Sequence, residues 1–247
     1  MDRMVYVAMT GAEQTMLAQA VNSHNLANAS TPGFRADLHS FGSLSVEGPG
    51  QPTRVNAVAQ PEGFDPGSGP VTSTGRALDV AVQGDGWIAV QAPDGTEAYT
   101  RAGDLRVSSL GLLSNGAGHS VMGNDGPIAL PPYSELSMGV DGTISIVPLG
   151  QSADTLAVVD RIKLVNPEPA QMVKGSDGLI RMRDGVPADA DASVQLMSAT
   201  LESSNVNAAD VMVNMIQLAR QFEMHVKLMQ GAEENAEVAA RLLRLGG

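Results

Sequence analysis

The stretch Val211–Leu243, VMVNMIQLARQFEMHVKLMQGAEENAEVAARLL, decides the fold. Within it Val211, Met215, Leu218, Phe222, His225, Met229, Ala232, Ala236, Ala239 and Leu243 step by 4, 3, 4, 3, 4, 3, 4, 3 and 4. That is a sustained heptad with one polar member, His225, and it predicts a long helix with a single seam. Asn207 and Asp210 stand ahead of it at capping-box spacing, with Asn and Asp in place of the usual Ser/Thr and Glu. A helix from Ala208 to about Leu245 is on the order of 55 Å long at ~1.5 Å per residue. The preceding β-rich segment is too small to cover such a helix, so its seam requires a helical partner.

The other end of the chain supplies a candidate. Met9, Ala12, Met16, Ala20, Ser23 and Ala27 recur at steps of three or four, which predicts an N-terminal helix with a small, weakly apolar face. Alone in water such a helix is marginal. It runs into NSHNLANASTPGFRAD (Asn22–Asp37), where Pro32 and Gly33 stop it. Both ends are therefore helical, and they pair with each other or with the ends of other copies.

Between them, Gly42–Gly75 is loaded with Pro, Gly, Ser and Thr (EGPGQPTRV, PEGFDPGSGP) and reads as an extended connector. From Ala77 to about Thr200 the pattern changes to period two. Leu136, Met138 and Val140 alternate, Asp141-Gly142 intervenes, and Ile144 and Ile146 alternate again, a hairpin signal. Pro93–Gly95 marks another turn, and Ile162/Leu164 and Ile180/Met182 alternate with basic residues. Short strands with frequent turns predict an antiparallel sandwich or barrel-like domain. The expected fold class is α+β: paired N- and C-terminal helices forming a coiled-coil-like inner domain, with an inserted antiparallel β-rich outer domain. The expected divisions are 1–36 (N-terminal helix), 37–76 (connector), 77–200 (β-rich domain) and 201–247 (C-terminal helix).

Composition narrows the function classes. The 247 residues carry a net charge of −12 and no basic stripe, which disfavours nucleic acid. Aromatics are only 3%, so stacking platforms for bases or sugars are scarce. No cysteine occurs, which excludes thiolate metal sites and cysteine nucleophiles. No apolar run reaches membrane-helix length, so no direct membrane insertion is expected, and the opening MDRMVYVAMTGAEQTM lacks the apolar core of a cleaved signal.

The chemical motifs are weak. Gly84-Asp85-Gly86 opens no helix and reads as a turn, not a dinucleotide loop. His24, His39, His119 and His225 are far apart and form no metal pair, while Asp189 and Asp191 lack the glycine and terminal Glu of a calcium loop. Asn28-Ala29-Ser30 matches a glycosylation acceptor by coincidence. The Met residues at both ends fit packing or assembly. No catalytic residue, cofactor or metal is expected. The alternatives are a secreted β-rich adhesin or carbohydrate-binding module with coiled-coil ends, and a small enzyme.

NLANASTPGFR (Asn25–Arg35) resembles the N-terminal signature of the bacterial flagellar axial proteins, the rod and hook family. ESSNVNAADVMVNMIQLARQFEM (Glu202–Met224) resembles that family's C-terminal signature. LDVAVQGDGWIAVQAPDGTEAYTRAGDLRV (Leu78–Val107) is similar to its shared outer β-domain. Within the family, MDRMVYVAMTGA and NASTPGFRAD look most like proximal-rod members, the alternatives being distal-rod or hook-type proteins. His24 and Trp87-Ile88 depart from residues common elsewhere in the family.

The resemblance implies a structural subunit of the proximal rod, exported without a cleaved signal through the flagellar type III apparatus. It implies polymerisation in the periplasm, with other copies of the chain and other rod proteins, into a hollow shaft. That shaft transmits torque and conducts exported subunits. It also implies roles for residues. Thr31, Pro32 and Gly33 stop the helix sharply, and Ala27, Ala29 and Ser30 allow close helix approach. Asn25 and Asn28 bond backbone groups freed at the helix end, and Phe34 anchors the emerging chain on a neighbour. The implied assembly interface takes Met9, Met16, Asn25, Ala27, Asn28, Thr31, Gly33, Phe34, Ser204, Asn205, Val206 and Asn207, and the seam residues Val211, Met215, Leu218, Phe222 and Met229.

Overall fold

The computed structural model describes residues 2–45, 55–151 and 155–245. The chain divides into two compact units, one made of 1–27, 37–63 and 207–247, the other of 28–36 and 64–206.

The first unit holds two helices, α1 (Asp2–Ala27) and α2 (Ala208–Leu245). They pack along each other, as the seam of α2 requires. Asn207 starts α2: its Oδ1 accepts the N–H groups of Ala209 at 3.1 Å and Asp210 at 3.5 Å, and its carbonyl accepts that of Val211. On α2 the seam is the least exposed stripe, with Leu218 and Ala232 buried and Val211, Met215, Phe222, His225 and Met229 half-buried. Ala236 lies outside that burial.

The α1 face differs from the expected one. Ala8, Ala12, Thr15, Ala18, Asn22 and Asn25 are buried, whereas Met9, Met16, Ala20, Ser23 and Ala27 are exposed. The reason is volume: alanines and Gly11 let two backbones approach, and the methionines are turned out. Thr15 tolerates burial because its hydroxyl donates to the Gly11 carbonyl at 2.8 Å.

The stretch expected as an extended connector is partly paired. Strands β1 (Asp37–Ser45) and β2 (Val55–Phe64) form a two-stranded sheet, and β1 also touches α1. Residues 46–54, which carry most of EGPGQPTRV, lie outside the described residues.

The strand pairings described for the second unit are antiparallel. Strand β3 (Val71–Ser73) anticipates a late partner, and β4 (Val80–Gln83) is buried along Val80, Ala81 and Val82. Strands β5 (Trp87–Gln91) and β6 (Glu97–Thr100) form the hairpin expected across Pro93–Gly95, with Gln91 opposite Glu97. The short β7 (Arg106–Val107), β8 (Leu113–Ser114) and β9 (Ser120–Val121) follow. Strands β10 (Tyr133–Met138) and β11 (Thr143–Pro148) close over Asp141-Gly142, with Met138 opposite Ile144 and Gly142 at φ +84°. Strand β12 (Ala157–Arg161) completes that three-stranded sheet. Strands β13 (Leu164–Val165), β14 (Met172–Lys174) and β15 (Ile180–Met182) lead into the main sheet, ordered β14-β15-β6-β5-β9-β8-β7 with β13 on β5. Finally β16 (Gln195–Ser198) pairs with β4, and β17 (Thr200–Glu202) with β3. The larger core gathers Val80, Ile88, Val90, Leu105, Ile144, Ile162, Leu164 and Leu196; a second groups Phe64, Trp87, Tyr99, Val165 and Ile180.

Candidate functional site

Two places concentrate the residues singled out from the sequence, one in each unit. In the helical unit, Asn25 is buried near the end of α1. Its Nδ2 donates to the Asp37 carbonyl at 2.9 Å and its Oδ1 accepts the Asp37 N–H at 2.8 Å. The side-chain amide thus imitates a neighbouring strand and ties β1 to the helix. Asn25 was expected to satisfy groups freed at the helix end; it reaches across to the strand because its amide matches a peptide unit in both donor and acceptor. One residue earlier His24 Nδ1 lies 2.6 Å from Asp37 Oδ2, an ion pair when the imidazole is protonated. Farther along α1, Gly11 leaves a gap that the His225 ring fills: a Cβ there would stand 2.4 Å from His225 Cε1. His225 Nδ1 is buried without a hydrogen bond, so the ring acts as a knob in a glycine hole.

In the β unit, the N-terminal block 28–36 meets the residues that follow β17. Thr31 N–H donates to the Asn28 carbonyl, and the hydroxyl of Thr31 lies 3.2 Å from Asn28 Oδ1. Gly33 then takes φ +66°. A Cβ there would lie 2.1 Å from the Arg101 carbonyl carbon, so both the left-handed backbone and the close approach demand glycine. The Gly33 N–H donates to the Glu202 carbonyl at 2.8 Å. The Phe34 carbonyl accepts the Asn205 N–H, and the Phe34 ring lies 3.9 Å beneath Lys174 Nζ, a contact within its own chain. Asn205 Oδ1 accepts the Ala36 N–H at 2.8 Å, while its Nδ2 donates to the carbonyls of Asp65 and Gly67. Ser204 is buried and its Oγ accepts the Val206 N–H.

Beneath this junction lies an ionic cluster that sequence reasoning missed. Glu202 is 1% exposed; its Oε1 stands 2.7 Å from Arg35 Nη1 and its Oε2 accepts from Arg101 Nη1 at 3.0 Å. Oε1 also accepts the Gly69 N–H at 2.9 Å, and Arg101 Nη2 donates to the Gly84 carbonyl at 2.8 Å. The Arg35 contact is ionic but off the hydrogen-bond line, so none of its three side-chain nitrogens donates a well-directed bond. Both guanidinium carbons lie over Trp87, at 5.5 Å and 5.2 Å from the ring centroid, and Phe64 meets that ring edge-on at 5.7 Å. Burial lowers the Arg101 pKa, opposed by Glu202 and reinforced by the like charge of Arg35. One carboxylate therefore faces two buried cations. A sequence signal existed: Arg35 and Glu202 are opposite charges at the inner ends of the two terminal signatures.

The remaining singled-out residues lie on the two helices of the first unit. Met9, Met16 and Ala27 are exposed on α1, and the α2 seam residues Val211, Met215, Leu218, Phe222 and Met229 turn toward α1. Among the described residues no cluster of His, Asp or Glu is arranged to hold a metal ion, and no helix is long and apolar enough to cross a membrane.

These landmarks coincide with three family models. Residues 5–35 match "Flagella basal body rod protein", 81–146 match "Flagellar hook protein FlgE/F/G D1 domain", and 197–242 match "Flagellar basal body rod FlgEFG protein C-terminal". The chain is 44% identical to the flagellar basal-body rod protein FlgF of Escherichia coli K12 over 99% of its own length and 100% of that protein. It belongs to the FlgF family. The FlgF of Salmonella typhimurium LT2 is 43% identical over the same shares. The rod protein FlgG of Buchnera aphidicola subsp. Schizaphis graminum is 28% identical over 96% of this chain and 98% of that one. In FlgF terms, the first and last family matches take in Arg35 and Glu202, so the direct Arg35–Glu202 pair joins the two rod signatures, with Arg101 on the second carboxylate oxygen.

Proposed function

We propose that the chain is a structural subunit of the proximal rod of the flagellar basal body and polymerises through α1 and α2. As a FlgF-family protein it has a structural role, and rod association is the coarse function that family membership carries. The observation that supports the polymerising surface is the apolar stripe left exposed on each helix. On α1 it comprises Tyr6, Met9, Met16 and Leu17; on α2 it comprises Val213, Ile216, Met224 and Leu228. The seam of α2 is already taken by α1, so these second faces are the ones available to neighbours.

In this reading the helical unit lines a hollow shaft and the β unit lies outward. The neighbours are other copies of the chain and other rod proteins. The chain reaches the periplasm through the flagellar export apparatus, and the finished shaft carries torque and passes later subunits. The test replaces Ile216 and Leu228 together by Lys in cells lacking their own copy. Both side chains are exposed, so the protein folds, but a charged stripe stops helix-to-helix assembly. Electron microscopy of basal bodies then shows no complete rods. Normal rods in that strain contradict the proposal.

A further inference from the structure

The residues that anchor segment 33–36 to the β unit come mainly from the far end of the chain. Glu202 provides a carbonyl for Gly33 and a carboxylate for Arg35, and Asn205 provides its N–H for Phe34 and its Oδ1 for Ala36. The same two residues bind the returning chain at Gly69, Asp65 and Gly67. Residues 202–205 thus stitch together three passes of the backbone. Lys174 Nζ on the Arg35 carbonyl, and the Asp65 N–H on the Ala36 carbonyl, also hold that segment.

Electrostatics make the order of closure one-way. Arg101 belongs to the β unit whether or not 28–36 is docked, and it already occupies the Trp87 ring. Bringing Arg35 to the same ring without Glu202 buries two like charges with no carboxylate between them. An uncompensated buried charge is among the most costly arrangements a fold can contain. Gly33 permits no looser docking, because its backbone already abuts Arg101 and Ala102.

We propose that Arg35, Glu202, Arg101 and Trp87 form a closure latch: segment 28–36 docks onto the β unit only after β17 has delivered Glu202. Arg35 and Glu202 are positioning residues, and the latch reads the arrival of the C-terminal segment through its charge. In a chain delivered from its N terminus, the latch closes last, so an incompletely delivered subunit presents a detached N-terminal arm. That consequence rests on the rod-subunit reading; the latch itself does not.

The test uses the purified full-length chain and amide hydrogen exchange resolved by peptide. Peptides covering 33–36 report docking, and those covering β11 report the core. Trp87, the only tryptophan, reports the cluster by fluorescence. In Glu202→Gln, exchange of 33–36 quickens at least about tenfold by local opening while β11 keeps its protection. Adding Arg35→Met removes the second cation, so the double variant Arg35→Met/Glu202→Gln regains protection at 33–36 to within about threefold of the parent. Three results overturn the latch: unchanged protection of 33–36 in Glu202→Gln, equal loss of protection at 33–36 and β11, or no recovery in the double variant. The assay contains no assembly step, so its failure leaves the rod reading standing, and the failure of rod assembly leaves the latch standing.

Discussion

Replacing Gly33 by Ala separates two costs that a positive-φ glycine can carry. The first is conformational: at φ +66° an alanine sits in the left-handed region, at roughly 1 kcal/mol. The second is local to this fold. The new Cβ would lie 2.1 Å from the Arg101 carbonyl carbon and 2.3 Å from the Ala102 nitrogen, where ordinary contact is 3.4–4 Å. The backbone must separate by more than an ångström, on the order of the shifts that cost 1–3 kcal/mol in an overpacked core. The hydrogen bond from Gly33 to the Glu202 carbonyl is lost with it, adding about 1 kcal/mol. Gly75 is the control, because it has φ +74° and nothing within 4 Å of its would-be Cβ. Gly75→Ala is therefore expected to lose about 1 kcal/mol and Gly33→Ala roughly 3–5 kcal/mol. For a domain of this size about 2–4 °C accompanies each kcal/mol, so the two midpoints differ by roughly 5–15 °C. Thermal unfolding followed by Trp87 fluorescence measures both. Equal losses in the two variants refute the close-approach argument and leave only the φ term.

Other expectations follow from the same geometry. Leu218, 7% exposed in the helix seam, becomes a buried carboxylate in Leu218→Asp, at a cost of several kcal/mol; circular dichroism shows loss of helix with the β-unit melt unchanged, Glu237→Lys on the exposed face behaves like the parent, and an undisturbed helix signal in Leu218→Asp counts against the pairing. Gly11→Leu fills the gap occupied by His225 and lowers helical stability by about 1–3 kcal/mol, whereas Gly231→Ala, with open space around it, raises it by about 1 kcal/mol; a gain in both places contradicts the knob-in-hole packing. Burial pushes the Tyr99 phenol from 10.0 up to about 12, where it donates to Glu97 and accepts from the Ala188 N–H. A raised folded-state pKa means that its stabilising contribution is complete below pH 10 and is lost as pH rises toward 12. Tyrosinate absorbance of the folded protein therefore shows a component titrating near pH 12 that Tyr99→Phe removes, and the absence of that component from the parent speaks against the burial of Tyr99.

The α2 seam was legible because large residues repeat at the coiled-coil period from Val211 to Ala232, and period is what a sequence displays most directly. The hairpins at Pro93–Gly95 and Asp141-Gly142 were legible for a different reason: turns need glycine at positive φ, and Gly95 and Gly142 both adopt it at +84°. The α1 face was not, because alanine recurs on several faces of that helix and the conspicuous methionines mark an exposed one. In fact small residues permit the close helix approach and the larger ones are excluded from it. The pairing of β1 with β2 was hidden by the prolines and glycines between them. The ionic cluster was hidden by distance: no spacing rule links Arg35, Arg101 and Glu202, which come together only when three chain passes close over Trp87.

The central proposal is that α1 and α2 build a shaft in the assembled rod, with the β unit outside it. Electron cryo-microscopy of the intact rod, at a resolution that shows side chains, tests this most directly. The account predicts density for α1 and α2 lining the channel, with Ile216 and Leu228 against helices of neighbouring subunits and the core around Ile144 and Leu164 at larger radius. A rod in which the β unit lines the channel, or in which the exposed stripes of both helices face solvent, contradicts it.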